Sequence, residues 1–296
     1  MKKLLLLTLS VLLLGCMALL PVTEPQATAS PAPIAPEPKA GTMAEFEHGS
    51  AETPAGTTLV VSVFADDRTC SWDMTRDRAT VDEVRRILGV TEAFVESLAA
   101  SYGVACDLVT DFEKHPDLLY TASFDRVIGS DGNEDMLVWQ YLDTLDVDAL
   151  LAAHGAQHCV FYVFLNTEPG ETRSCATRSW FPMMPYPYEF VYLYVRSDGM
   201  TNGPAIYTHE LFHAFGAPDY YMPDLNYNIT DATVAYFQRN LSTDLMLTCS
   251  DPHTGTYNME HVTNSVSELT AFFIGLTDRS ELYDKLELWG CEHVTP

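Results

Sequence analysis

Basic residues are scarce in this chain: its 296 residues hold 16 lysines and arginines against 41 aspartates and glutamates, for a formal net charge of −25. Phosphate backbones are bound through clusters of lysine and arginine, so their lack excludes a nucleic-acid partner. Acidity of this degree serves solubility outside the cell. The chain also lacks a glycine-rich loop of the kind that cradles phosphate, an internal repeat, and any apolar run beyond the N-terminus long enough to span a bilayer. Its seven cysteines include no Cys-x-x-Cys pair, which argues against a structural zinc site built on thiolates.

What is present begins with an export signal. Lys2 and Lys3 precede a nearly continuous apolar run from Leu4 to Leu14, followed by Gly15-Cys16. The apolar stretch through Leu20 is at the short limit for a spanning helix, so cleavage is favoured over a permanent anchor. Leu13-Leu14-Gly15-Cys16 resembles the bacterial lipoprotein processing site, which implies that residues 1–16 end at a lipidated Cys16. The mature protein would then sit on the extracellular face of a bacterial membrane, touching it through the lipid alone. Cleavage after Ala27-Thr28-Ala29 would instead release a soluble, secreted protein.

Residues 17–57 shift to Pro, Ala, Thr and Glu, and residues 21–58 hold seven of the 17 prolines. Such a segment buries too little apolar surface to fold. As a flexible linker it reaches about 35 Å. Residues 58–296 suffice for one domain with a real core. With Cys16 set aside, Cys70, Cys106, Cys159, Cys175, Cys249 and Cys291 form an even set suited to an exported protein, and the sequence does not choose among their pairings.

The most informative string is His209-Glu-Leu-Phe-His213-Ala-Phe-Gly216-Ala-Pro-Asp219. Residues four apart in a helix stack one turn above each other, so His209 and His213 present two imidazoles to one point. Glu210 points about a quarter-turn away, where its carboxylate reaches a water on a metal without competing as a ligand. Gly216 takes the left-handed conformation that ends a helix and turns the chain back, returning Asp219 as a third ligand. Chance produces His-Glu-x-x-His in roughly 2% of chains of this composition, and the correctly spaced Gly216 and Asp219 lower that to about one in ten thousand. The predicted cofactor is zinc.

This string resembles the extended signature of the metzincin class of zinc endopeptidases, in the variant where aspartate replaces the third histidine, as in the snapalysin-like enzymes. Ser242-Thr243-Asp244-Leu245-Met246 resembles the methionine turn of that class, which makes Met246 the implied floor under the histidines. Several metzincins place a tyrosine two residues after that methionine, where this chain has Thr248, so a phenol acting on the oxyanion must come from elsewhere; Tyr221 and Tyr257 are the candidates. Glu268, His253 and His261 are rival third ligands, although Ser265-x-x-Glu268 ahead of an apolar run also reads as a helix capping box.

A coarse reading gives a strand at Thr58–Phe64, then a helix opened by a Thr80-x-x-Glu83 box and closing near Gly103. A helix over Asp135–His154 follows, with strands at Cys159–Leu165 and Phe190–Val195 and an edge-strand candidate at Ser174–Phe181. The zinc helix begins at Pro204 and the last long helix covers Ser265–Gly275. That order resembles the metzincin N-terminal subdomain. It implies an α/β (α+β) zincin: a mixed, mostly parallel twisted sheet with long helices over 58–216, then a mainly helical C-terminal subdomain over 217–296 with its methionine turn. The loop Phe181–Tyr188, with three prolines and large apolar groups, is placed to wall a substrate cleft.

The expected function is that of an exported, monomeric zinc endopeptidase acting on peptide or protein, with Glu210 as general base. Two other readings use the same residues: a non-catalytic zincin-fold surface binding lipoprotein, and a zinc amidohydrolase acting on a non-peptide amide. A binder has no use for Glu210.

Overall fold

The computed structural model describes residues 50–129, 134–170, 173–178, 186–197 and 199–289. The signal, Cys16, most of the linker, most of the Phe181–Tyr188 loop and Cys291 lie outside the described residues. The fold is mixed α/β, built on a mostly parallel sheet with several helices.

Three apolar runs form the parallel centre of the sheet: β1 (Gly56–Asp66), β4 (His158–Leu165) and β6 (Phe190–Tyr194). They read as continuous rather than alternating hydrophobics because both faces are covered by other elements. β2 (Cys106–Val109) and β3 (Leu119–Ser123) both pair with the outer side of β1, β2 along Gly56–Leu59 and β3 along Ser62–Asp66. β5 (Ala176–Arg178) pairs antiparallel with β6 and ends the order β2-β1-β4-β6-β5. β2 and β3 are too short to show a period in the sequence.

Register decides which residues face which helix. Phe161 lies opposite Phe190 and Val163 opposite Tyr192, so these share a face. α2 (Asp135–Leu142) covers it, with Trp139 edge-on to Phe190 and Asp135 accepting from the Tyr192 hydroxyl. Tyr162 and Phe164 point the other way, towards α4 (Pro204–Ala214): the Tyr162 hydroxyl donates to the Tyr207 carbonyl at 2.7 Å. α1 (Arg78–Ser101) packs on α4, burying Val84, Ile87, Leu88, Thr91 and Val95 at helical spacing.

α4 enters from a hairpin of β7 (Arg196–Ser197) and β8 (Met200–Thr201). Buried Asn202 fastens its start to the sheet by donating to the Tyr194 carbonyl at 2.7 Å and to Ser197 Oγ at 2.9 Å. Gly203 is the N-cap and Pro204 occupies the first turn, where a missing N–H costs nothing.

Several expectations need correction. The helix expected over Asp135–His154 is two, α2 and α3 (Val147–His154), because Asp146 caps a new start by accepting from the Ala149 amide. α1 begins at Arg78, and Thr80-x-x-Glu83 is no capping box: Thr80 lies inside the helix and Glu83 pairs with Arg86. At the expected edge strand, Ser174 and Cys175 lie ahead of β5 (Ala176–Arg178), and residues 179–181 lie outside the described residues. The last long helix shrinks to α6 (Glu268–Phe273), capped by Ser267; Ser265 instead bridges to Asp244. Among the described residues beyond Gly216 the chain is mostly turns and loops, with α5 (Asp231–Asn240), α6 and α7 (Glu281–Lys285) as helices, and so is not mainly helical there. At the other end, the Ala51 amide and the Ser50 hydroxyl both donate to Glu189 Oε2, so the folded body includes residues ahead of the expected start at residue 58. Among the described residues no helix is long and apolar enough to cross a membrane.

Candidate metal centre

α4 carries His209, Glu210 and His213 on adjacent turns, all beneath the rest of the fold or half so. The helix ends in a Schellman turn: the Gly216 amide donates to the His213 carbonyl at 2.9 Å and the Ala217 amide to the Phe212 carbonyl at 2.9 Å. Gly216 has φ of 101°, a conformation costly for any residue with a Cβ. The turn sends the chain back over the end of its own helix. It thereby brings Asp219 Oδ1 to 3.2 Å from His209 Nε2 and 3.1 Å from His213 Nε2, while the two Nε2 atoms are 3.1 Å apart.

The opposite ring nitrogens fix what these three atoms present. His209 Nδ1 lies 2.9 Å from the Leu245 carbonyl and His213 Nδ1 2.7 Å from the Ala217 carbonyl. A carbonyl only accepts, so each Nδ1 carries the hydrogen, and in the neutral imidazole each Nε2 then presents a lone pair. Asp219 Oδ1 is buried without a hydrogen-bond partner. With both rings neutral, three acceptors face one point with no donor between them, a set that a bound cation, or a proton on one ring, relieves. The edges of 3.1–3.2 Å sit close to the separation of about 3.3 Å that tetrahedral zinc imposes on N and O ligands about 2.0 Å away. The residues present fit zinc by donor type, count and spacing.

The walls of the site come from three places distant in sequence. Thr177 on β5 shares register with Val191, on the face towards α4, and its hydroxyl contacts both the Glu210 carbonyl at 2.7 Å and Glu210 Oε2 at 2.9 Å. The Tyr221 ring lies alongside His209 with centroids 6.4 Å apart and planes 25° apart, and half of the residue is exposed. The turn at Asp244–Met246 lies below. Leu245 orients His209, Met246 is fully buried, and its carbonyl accepts from the Tyr220 amide at 2.9 Å, next to Asp219. Asp244 holds this turn: its carboxylate accepts from the Met246 amide at 2.8 Å, the Ser267 amide at 2.8 Å and the Thr270 hydroxyl at 3.0 Å.

His209, His213 and Asp219 are thus brought together, with Glu210 and Met246 around them. The rival ligands are not in this group. Glu268 Oε1 accepts from the Leu282 amide, and His253 and His261 lie exposed in a loop organised by Asp251 and Asn258. Thr177 and the two orienting carbonyls had no signal in the sequence, since a threonine in a short strand and a backbone oxygen carry no motif. The five described cysteines are free, and burial pushes the Cys159 thiol up to about 12. No protein-family model matches the chain, and no curated protein is similar to it in sequence.

Proposed function

We propose that this chain is a zinc-dependent endopeptidase of metzincin type, exported and held at a membrane through lipid on Cys16. One observation supports this above the others: His209, His213 and Asp219 turn three acceptor atoms on a common point with no donor among them, beside a buried glutamate. Zinc held by these residues supplies Lewis acidity towards a carbonyl and acidifies water at neutral pH.

The protein residues divide the remaining work. Glu210 is one position past the first ligand, where its carboxylate takes a proton from the attacking water and returns it to the leaving amine. The single Thr177 hydroxyl hydrogen is shared between the Glu210 carbonyl at 2.7 Å and Oε2 at 2.9 Å, which places the side chain and leaves Oε1 as the proton acceptor. Tyr221 stands beside His209; burial, then the charge of Asp219 and a hydrogen bond to it, raises its pKa, so the phenol stays protonated and would serve a developing oxyanion on turning from Asp219. Among the described residues β5 ends the sheet, and its outer edge suits an extended peptide that adds as a further strand. Because Thr177 lies on that strand and contacts Glu210 on α4, the substrate edge and the base are in direct contact. A binding protein has no use for this coupling of a base to a substrate edge.

Glu210→Gln tests the reading. The variant should keep its zinc, since Glu210 is not a ligand, and lose about 10²–10⁴-fold in peptide cleavage. Equal cleavage by wild type and variant would overturn the mechanism. Cleavage of no peptide in a broad library by the zinc-loaded wild type would favour the binding scaffold.

A further inference from the structure

A second cluster of ligand-type side chains lies away from α4. His115 precedes a short 3-10 turn, Pro116–Leu118, and Asp117 sits inside it; His154 closes α3, far along the chain. His154 Nε2 is 2.8 Å from Asp117 Oδ2, and the His115 and His154 rings meet edge to face with centroids 5.1 Å apart. One ligand atom from each of the three residues falls within 4.8 Å of the others. We propose that His115, Asp117 and His154 form a second, lower-affinity site for a divalent transition metal such as zinc, distinct from the site on α4.

The geometry favours a metal over a simple ion pair for three reasons. The loop carries three acids, and two already have cations: Asp111 pairs with Lys114 and Arg85, and Glu113 with Arg85 and Arg78. Asp117, among the described residues, has no lysine or arginine partner; the two histidines and the Tyr120 phenol are near it. Second, Pro116 fixes the backbone between the first two ligands, so the pair is presented by one rigid turn. Third, two imidazoles and one carboxylate form a set that takes zinc, copper or nickel in preference to calcium or magnesium. Half of the Asp117 side chain is exposed, so water completes the coordination and affinity falls below that of the buried site.

The place in the fold gives such a metal something to do. β2 and β3 take turns on the same side of β1, and residues 110–118 cross the jog between them. Phe112 and Leu118 plug that crossing into the core. A metal bridging Asp117 to His154 would clamp the crossing to the end of α3, just ahead of the central strand β4. It stabilises the body and takes no part in peptide cleavage.

The test counts zinc by mass spectrometry of the metal, on the whole chain equilibrated with buffered zinc, in four proteins: wild type, His154→Ala, Asp117→Asn and His213→Ala. Wild type should hold two zinc ions per chain at the higher zinc level. His154→Ala and Asp117→Asn should each hold one, with peptide cleavage unchanged where wild type cleaves. His213→Ala should still hold one, bound at this site, and zinc should raise its melting temperature. Binding in the His213→Ala background keeps the two claims apart, since loss of the α4 site leaves this one intact. One zinc in wild type that survives His154→Ala, or no zinc in His213→Ala despite a cooperative melt, would overturn the proposal.

Discussion

Replacing Thr177 with valine removes one hydroxyl and little else. Valine keeps the β-branched shape that suits a strand, so β5 should persist beside β6. The hydroxyl is the neighbour that the Glu210 carboxylate has on the strand side, at 2.9 Å from Oε2, and its one hydrogen is shared with the Glu210 carbonyl at 2.7 Å. Glu210 is 5% exposed, so water does not readily take the place of the lost donor. A hydrogen bond to a charged group contributes about 1.5–3 kcal/mol, and part of that is lost from orientation of the base in the transition state. At 1.36 kcal/mol for each factor of ten, kcat should fall about 10–100-fold. The metal ligands do not touch Thr177, so zinc per chain and KM should change little, and Thr177→Ser should recover most of the rate. The assay is steady-state cleavage of a fluorogenic peptide, with zinc counted on the same samples. A Thr177→Val enzyme with wild-type kcat would refute the positioning role, and one that has lost zinc would show that Thr177 supports the metal rather than the base.

Asp219→Ala should fail to retain zinc through dialysis against a mild chelator, because two histidines leave the site half filled, and Asp219→His should restore metal in part. Gly216→Ala should cost about 1–3 kcal/mol in urea unfolding, since φ of 101° strains any Cβ, and should weaken zinc retention by disturbing the turn that carries the Ala217 carbonyl; a change under about 0.5 kcal/mol argues against both. Burial raises the Asp244 carboxyl above its ordinary value. An acid raised in the fold gives its stability fully below the unfolded value of about 3.9 and loses it as pH climbs through the folded value. The urea midpoint of wild type relative to Asp244→Asn should therefore decline as pH rises from about 4 towards neutrality, and a constant difference would contradict the raised carboxyl. Cys16→Ala should move the protein from the detergent phase to the aqueous phase, and unchanged partitioning of a normally processed protein would remove the lipid anchor.

Local chemistry was legible wherever one short segment carries both cause and consequence. The helical spacing of His209 and His213, the break at Gly216 and the return to Asp219 are written within eleven residues, and the ligands meet for reasons internal to that segment. The apolar runs of β1, β4 and β6 were equally plain, because strands buried on both faces must be apolar throughout. Helix ends were less so. Asp146 and Ser267 cap α3 and α6, and choosing them over their polar neighbours depends on where the preceding chain is pinned, as Asp244 pins Ser267. The surroundings of the site lay beyond any local pattern. Thr177 reaches Glu210 through antiparallel pairing with β6, Leu245 reaches His209 from a turn 36 residues on, and His154 meets Asp117 across 37 residues. A sequence specifies such contacts only through the register of the sheet and the packing of helices upon it. The meeting of His209, His213 and Asp219 was therefore set by the local chain, while their orientation, the placement of Glu210 and the second cluster were decided by tertiary structure.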